Sequence, residues 1–417
     1  MRNLSVWRQL LGLVNVVVEG VDFDDHADAL VVSVRPRKGA AKPRCGVCGR
    51  RCVRYDRGEG RRRWRSLDVG LLRCFLEAEA PRVRCGDHGV VVTQLAWARH
   101  SAGHTRDFDD QVAWLATHTS KTAVTQLMRV AWRTVGAIVT RVVGEGRAAH
   151  DPFADLRRIG IDEISYKRGL RFLSVVVDHD SRRLVWVAPG RDRATLNSFF
   201  DLLGPTRCSA ISLVSADAAQ LIGEVVADRC PNATLCLDPF HVVRWATDAL
   251  DVVRRATWNG MRRSRGGRVL GRQLIGSRFV LWKAGERLDE KGRRRLEWIA
   301  QVNGELYRAY LLKEQLRLVF QLRGPEALAE LDVWIEEAEH SGIAAFVDLA
   351  QLIVRHRAGI AATLTHGLSN GLIESVNTKL RLLARMAFGF KNADALVALA
   401  LLDRGGYRPN LPGRAAA

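Results

Sequence analysis

The chain is 417 residues long, about three times a modal domain, so several domains and a sizeable buried core are expected and a single small module is excluded. Lys and Arg number 64 against 45 Asp and Glu, and the net charge of +19 points to a polyanionic partner. At 47% hydrophobic, with 36 Gly and 11 Pro, the composition excludes disordered, collagen-like and low-complexity chains, and no apolar run approaches the roughly 18 residues of a membrane span.

The stretch Met1 to Gln9 shows no secretion signal, so a soluble cytoplasmic protein with no membrane partner is expected. Its eight cysteines then serve as thiols or metal ligands, and five of them (Cys45, Cys48, Cys52, Cys74, Cys85) crowd into the first 85 residues of the chain. Alternation over Leu13 to Val18 and Ala29 to Val34 predicts two short strands. Between about 45 and 95 come turn residues, a basic run (Arg61, Arg62, Arg63, Arg65) and an alternating stretch, Leu71 to Val83, read as strand. From Thr105 to about Gly146 the spacing of Phe108, Val112, Leu115 and Ala116 and of two following segments predicts a short helical bundle.

Beyond Asp151-Pro152 the texture changes. Ile159 to Ser165, Leu170 to Val177 and Arg183 to Val187 read as hairpin-linked strands, followed by helix Ala194 to Leu203, strand Ala210 to Ser215, helix Gln220 to Arg229 and strand Ala233 to Leu237. The order is βββαβαβ. Only helical periodicity follows from Pro239 to about Gly359, a further helix runs from about Gly371 to Met386, and the tail after Gly405 reads as frayed.

Cys45-x-x-Cys48 and Cys85-x-x-His88 each sit at a glycine-marked turn, and together they offer four ligands for one structural zinc, as in a zinc ribbon. Cys52 competes with His88 for the fourth place. Cys74 reads as a buried thiol, and Cys208, Cys230 and Cys236 read as core residues. Lys121 to Gly146 reads as a helix-turn-helix whose second helix, from about Trp132, presents Arg133, Thr134 and Arg141 to DNA. A fragment of residues 1 to 150 should therefore carry the base-reading elements.

The strongest signal is carboxylic. Asp162 lies inside an apolar strand and Asp217 closes another; adjacent strands would bring the two acids together, where repulsion is tolerable only around a cation. Two magnesium ions would suit phosphodiester chemistry if a third acid closed the site. Glu374 is the candidate, on a helix that also presents Asn377 and Arg381, although a first-turn glutamate is also an ordinary dipole partner. Asp238, before Pro239, Phe240 and His241, reads equally as an N-cap or as a functional acid.

In this order the motifs resemble the IS-L-three class of bacterial insertion-sequence transposases, within the DDE, RNase H-like superfamily. The resemblance rests on the two knuckles, the helix-turn-helix, Gly160-Ile161-Asp162-Glu163-Ile164-Ser165 with Lys167-Arg168-Gly169, Ser215-Ala216-Asp217, Asp238-x-Phe240-His241, Asn370-Gly371-x-Ile373-Glu374-x-x-Asn377, and Arg385-Met386-Ala387-Phe388-Gly389-Phe390. It implies a multidomain α+β chain: a zinc-ribbon DNA-binding module over 1–100, a helix-turn-helix over 101–150, an RNase H-like α/β catalytic core over 151–250, a helical insertion over 251–360, and closing helices with Glu374 over 361–417. Asp162, Asp217 and Glu374 inherit the catalytic places around two Mg²⁺ (or Mn²⁺) ions, with Asp238, His241 and Asn377 in support. The insertion begins with 14 Lys or Arg against 3 acids from Val253 to Arg295, so Arg262, Arg263 and Arg265 with Trp258 and Trp282 are read as a DNA surface, as are Arg61, Arg62 and Arg63.

Two departures stand out: Cys85-Gly86-Asp87-His88 replaces the family's second Cys-x-x-Cys, and Pro239 replaces a basic residue. The expected function is a DNA transposase that binds its element's terminal inverted repeats and a target, as a homodimer on double-stranded DNA at the nucleoid. A transposase-derived regulator and an RNase H-like structure-specific nuclease are the alternatives.

Overall fold

The computed structural model describes residues 2–37, 42–167, 169, 171–263, 274, 276–387, 389–390 and 392–414. The chain forms two compact units, one of Met1–Asp151 with Leu383–Ala417, the other of Pro152–Leu382.

The first unit opens with helix α1 (Arg2–Leu10), then β1 (Val16–Asp24), β2 (Ala29–Pro36), β3 (Val53–Asp56), β4 (Arg61–Val69), β5 (Leu72–Glu79), β6 (Arg82–Cys85) and β7 (Gly89–Val92). Two sheets result, a four-stranded one in the order β1-β2-β5-β4 and a three-stranded one in the order β3-β6-β7. Two elements without a sequence assignment appear here, and one expectation is corrected. Helix α1 was not expected, yet Leu4, Trp7 and Leu11 recur at helical spacing and pack on the buried Val16, Val32, Trp64 and Leu76. The basic run, to which no element was assigned, is a strand, with Arg61 and Arg63 opposite Glu79 and Glu77 on β5. The stretch to Val83 is two strands in different sheets, divided at Pro81, which has no N–H to continue the ladder.

Helices α2 (Arg106–His118), α3 (Lys121–Met128) and α4 (Trp132–Ala149) follow. Thr105 and Ser120 cap the first two, each hydroxyl accepting from the backbone N–H three residues on. Arg129, at φ 50°, makes the left-handed turn from α3 to α4. The chain's last helix, Ala393–Arg404, returns to pack on α4 and α2. At Gly146 the Tyr407 ring comes so near that a Cβ would sit 2.6 Å from it, so the closeness of tail and α4 requires glycine.

The second unit contains β8 (Arg158–Lys167), β9 (Arg171–Asp178), β10 (Arg183–Pro189), α5 (Arg193–Leu203), a short α6 (Pro205–Cys208), β11 (Leu213–Ala216), α7 (Gln220–Arg229) and β12 (Thr234–Leu237). Their sheet has the order β10-β9-β8-β11-β12, with β8, β9 and β10 antiparallel and β8, β11 and β12 parallel. This is the expected βββαβαβ order. β11 starts three residues later than expected because α6 and its turn occupy the chain until Leu213 meets Arg158 and Thr234.

The helical insertion comprises α8 (Pro239–Arg263), α9 (Arg278–Trp282), α10 (Glu290–Val302), α11 (Gly304–Val319), α12 (Gly324–Glu339), α13 (Ala344–Arg355) and α14 (Arg357–His366). Its core runs from Val242 and Ala246 through Leu316, Leu331, Trp334 and Phe346 to Ile360. Gly359 lets α14 lie on β12, since a Cβ there would come within 2.8 Å of Leu237 Cγ. Helix α15 (Gly371–Met386) then carries Glu374 and Asn377.

Candidate functional site

The sheet of the second unit aligns its acids by register. Ser215 pairs with Gly160 and Ala216 with Leu237, so Asp162, Asp217 and Asp238 stand at one end of three adjacent parallel strands. Strand polarity alone makes them neighbours, although 76 residues separate the first from the last in sequence.

Each carboxylate is held differently. Asp162 accepts from Glu163 N at 2.7 Å on Oδ1 and from Asn377 Nδ2 at 2.7 Å on Oδ2. Burial lifts its pKa to about 6, with Asp217 and Asp238 adding negative charge against the Glu163 N–H and the His241 ring. Asp217 accepts from Ala219 N at 3.1 Å on Oδ1 and remains half-buried. Glu374 is exposed at the rim; its pKa is raised by desolvation and then by Asp238.

Asp238 is buried with both oxygens engaged: Oδ1 accepts from Asn370 N at 3.1 Å and Oδ2 from His241 Nδ1 at 3.0 Å. The His241 pKa is raised, first by that bond. Asp238 therefore ties the end of β12 to the first turns of α8 and α15, while Thr363 Oγ1 donates to Leu237 O at 2.7 Å. Two contributors carried no expected role. Asn370 precedes α15 and its backbone carbonyl receives Glu374 N at 2.9 Å, while its buried side-chain amide makes no hydrogen bond among the described residues; the Asn-Gly pair at a helix start was the available signal. Glu163 has a raised pKa, through burial and then Asp217, and its place beside Asp162 in the strand was the only sequence hint.

This set fits hard divalent cations: all donors are carboxylate oxygens, and the pKa values of Asp162 and Glu374, raised first by desolvation and further by neighbouring carboxylates, belong to groups whose charged form a cation would favour. It is an open arrangement, more widely spaced than the Cys and His group of the first unit.

In that group the donor atoms of Cys45, Cys48, Cys85 and His88 all lie within 4.8 Å of one another. Cys48 Sγ is 3.8 Å from Cys85 Sγ, and His88 Nδ1 is 3.9 and 3.6 Å from the sulfurs of Cys45 and Cys85. A tetrahedron with zinc–sulfur bonds of about 2.3 Å has edges of roughly this length, so donors and spacing both fit zinc. The Cys85 thiol is drawn down to about 6, first by His88. Cys52 stays outside the set and bonds to Arg50 O at 3.4 Å. Burial instead raises Cys74 and Cys236 to about 11 and Cys230 to about 12, as for inert core thiols.

The DNA candidates diverge. Arg133 is exposed and Thr134 half-buried on the first turn of α4. Arg141 turns inward, its Nη1 3.0 Å from Oδ2 of the buried Asp109, which also faces Arg99 and His104. Arg61 and Arg63 bond Glu77, and Arg62 lies 3.7 Å from Glu59. In the insertion, Arg262 lies over the Trp258 ring at 4.7 Å and Arg278 over Trp282 at 4.0 Å, while Arg263 is exposed. Arg265 lies outside the described residues.

Three stretches of the chain match family models: residues 41–88 a "zinc-finger of transposase IS204/IS1001/IS1096/IS1165", residues 93–143 the "helix-turn-helix domain of transposase family ISL3", and residues 159–400 the ISL3 DDE model described as "Transposase". Among similar proteins, the transposase for insertion sequence element IS1557 of Mycobacterium tuberculosis is 55% identical, over 99% of this chain and 98% of its own. The transposase for insertion sequence element IS1001 of Bordetella parapertussis is 28% identical, over 90% and 92%.

Proposed function

The chain belongs to the ISL3 family of insertion-sequence transposases, enzymes that cleave and join DNA, and from that premise we propose that it binds the terminal inverted repeats of its own element and carries out Mg²⁺-dependent strand cleavage and strand transfer. The observation that carries this reading is the register that lines up Asp162, Asp217 and Asp238, with Asn377 on the Glu374 helix bonded to Asp162.

In this reading Asp162, Asp217 and Glu374 hold two Mg²⁺ or Mn²⁺ ions, which when bound activate the attacking oxygen and stabilise the leaving one. Asn377 orients the Asp162 carboxylate and favours its charged form. Asp238 and His241 fix the positions of α8 and α15, and so the distance of Glu374 from the strand acids, without contacting the reacting phosphate. In cleavage a water oxygen bonds to phosphorus as the bond to the strand's 3′ oxygen breaks; in transfer the freed 3′-hydroxyl attacks a target phosphate in the same in-line manner.

The Cys45, Cys48, Cys85 and His88 set holds one structural zinc per chain in a module over 1–100, and residues 101–150 supply the helix-turn-helix, with Arg133 and Thr134 facing DNA. The catalytic core spans 151–250 and the first part of 361–417, interrupted by the insertion over 251–360, whose Trp258, Trp282, Arg262 and Arg263 bear on DNA. A homodimer on double-stranded DNA, at the nucleoid in the cytoplasm, completes the proposal.

The test is a strand-transfer assay with a pre-cut duplex copied from the DNA flanking the gene, run with Mg²⁺ or Mn²⁺, together with elemental analysis. Joined product and one zinc per chain are expected. Cleavage without joining would favour the nuclease, and neither activity beside intact end binding would favour the regulator.

A further inference from the structure

The basic run on β4 is a poor candidate for phosphate binding, because its charge is neutralised within the fold. Arg61, Arg62 and Arg63 face four carboxylates, those of Glu19, Asp24, Glu59 and Glu77. A guanidinium so engaged releases few counterions from DNA.

The three-stranded sheet of the Cys and His module differs. Val53 on β3 lies opposite Arg84 on β6, and Arg84 lies opposite Val90 on β7, so the three share one face; the register of β3 shifts between Arg54 and Asp56, and Tyr55, at that irregularity, is brought to the face by its contact with Arg84. That face is open to solvent: Val53 is 78%, Tyr55 48% and Val90 40% exposed. The Arg84 guanidinium lies over the Tyr55 ring at 5.0 Å, and Arg82 approaches the same ring at 5.8 Å. Arg82 is tied to Asp56, its Nε 2.9 Å from Oδ1, whereas Arg84 meets no carboxylate among the described residues. Stacking thus orients a guanidinium whose charge is unspent. Cys85 closes β6 and His88 immediately precedes β7, so the metal-ligand set fixes the ends of these strands.

We propose that Tyr55 and Arg84, flanked by Val53 and Val90, form a duplex-DNA reading face on the Cys and His module. The inference rests on the end-binding reading above and names a surface for it. A strand ribbon is of a size to enter the major groove, a stacked planar guanidinium suits the paired acceptors of guanine, and valine methyls suit the thymine methyl. The chain's net charge of +19 favours this occupant over a protein one.

The experiment measures binding of the full-length protein to a duplex copied from the DNA flanking the gene and to a scrambled duplex, across a salt series. Arg84→Ala and Tyr55→Ala are expected to weaken end binding about tenfold, and Arg84→Ala to lower the salt slope by about one. Arg84→Lys should keep the slope but lose preference for the end duplex, Tyr55→Phe should behave as wild type, and the double variant Arg61→Ala, Arg63→Ala should stay within about twofold. Zinc content must remain at the wild-type level; weakened binding that tracks zinc loss, with Arg84→Lys unchanged from wild type, overturns the proposal. Unaltered DNA binding by Arg84→Ala together with a changed oligomeric state also overturns it and assigns the face to a protein contact. Should the wild-type protein show no preference for the end duplex, the end-binding reading fails instead, and the face then stands or falls on whether Arg84→Ala loses total affinity.

Discussion

Asp109 and Asp162 are both aspartates taken largely out of water, and they make opposite use of burial. The carboxyl of Asp109, in α2, is wholly buried between Arg141, Arg99 and His104; burial raises its pKa and the two arginines oppose that rise. Burial also raises the pKa of Asp162, but Asp217 and Asp238 push it further in the same direction. The first site is neutralised by the chain's own cations and so holds helices together. The second gathers several acids, with only the His241 ring set against Asp162, and such a surplus of negative charge is the condition for attracting positive charge from outside.

The largest effect should come from removing that surplus. Asp162→Asn, Asp217→Asn and Glu374→Gln should each lower cleavage at least about a thousandfold, while end binding remains. Because the fold disfavours the Asp162 carboxylate, its contribution to stability is present below 3.8 and declines as pH rises through about 6. Without divalent ions at neutral pH, Asp162→Asn should therefore melt at or above the wild-type temperature. A clearly lower melting temperature would place Asp162 with Asp109 as a structural acid.

The converse change is Asp109→Ala, which leaves Arg141 and part of Arg99 unpaired in the interior. A loss of about 3–5 kcal/mol is expected, read as lost helicity and lost DNA binding in the same denaturant range. Normal DNA binding at wild-type stability would remove the distinction between the two acids.

A smaller effect follows from pH. His104 stacks on Phe108, and burial, with Arg141 and Arg65, depresses its pKa from 6.5 to about 4. A histidine kept neutral by the fold adds stability above 6.5 that is lost as pH falls toward about 4, here roughly 1–3 kcal/mol. Acid titration of DNA binding should show that loss, and His104→Phe should abolish it. Asp238→Asn should be the mildest, costing about 1 kcal/mol and less than tenfold in cleavage, because one amide oxygen can still accept from Asn370 N. Inactivity equal to that of Asp217→Asn would make Asp238 a metal ligand.

The acid site was legible because its signal is local: an aspartate in an apolar strand and another at a strand end each stand out without a partner. The helical face of Glu374 and Asn377 was legible too, but the Asn377 bond to Asp162 joins residues 215 apart and has no local trace. Charge compensation was the hidden part. Arg141 looks like a recognition-helix cation until Asp109, 32 residues earlier, is seen beside it, and Arg61 and Arg63 look free until β5 presents Glu77. The choice of His88 over Cys52 was also beyond the sequence, since spacing permits both and only His88 joins the group whose donor atoms lie within 4.8 Å of one another.

The closeness of Tyr407 to Gly146, and the packing of Ala393–Arg404 on α4, have a consequence in time. A ribosome adds roughly 5–20 residues per second, so some tens of seconds pass between emergence of α4 and of the helix that covers it. Leu396, Ala400, Leu401 and Leu402 are buried there, and until they arrive the helical part of the first unit lacks one wall. A fragment ending at residue 150 lacks that wall permanently and should bind DNA less firmly than the whole chain. Products of interrupted translation would share the defect, so firm DNA binding is expected only of chains whose last helix has been made.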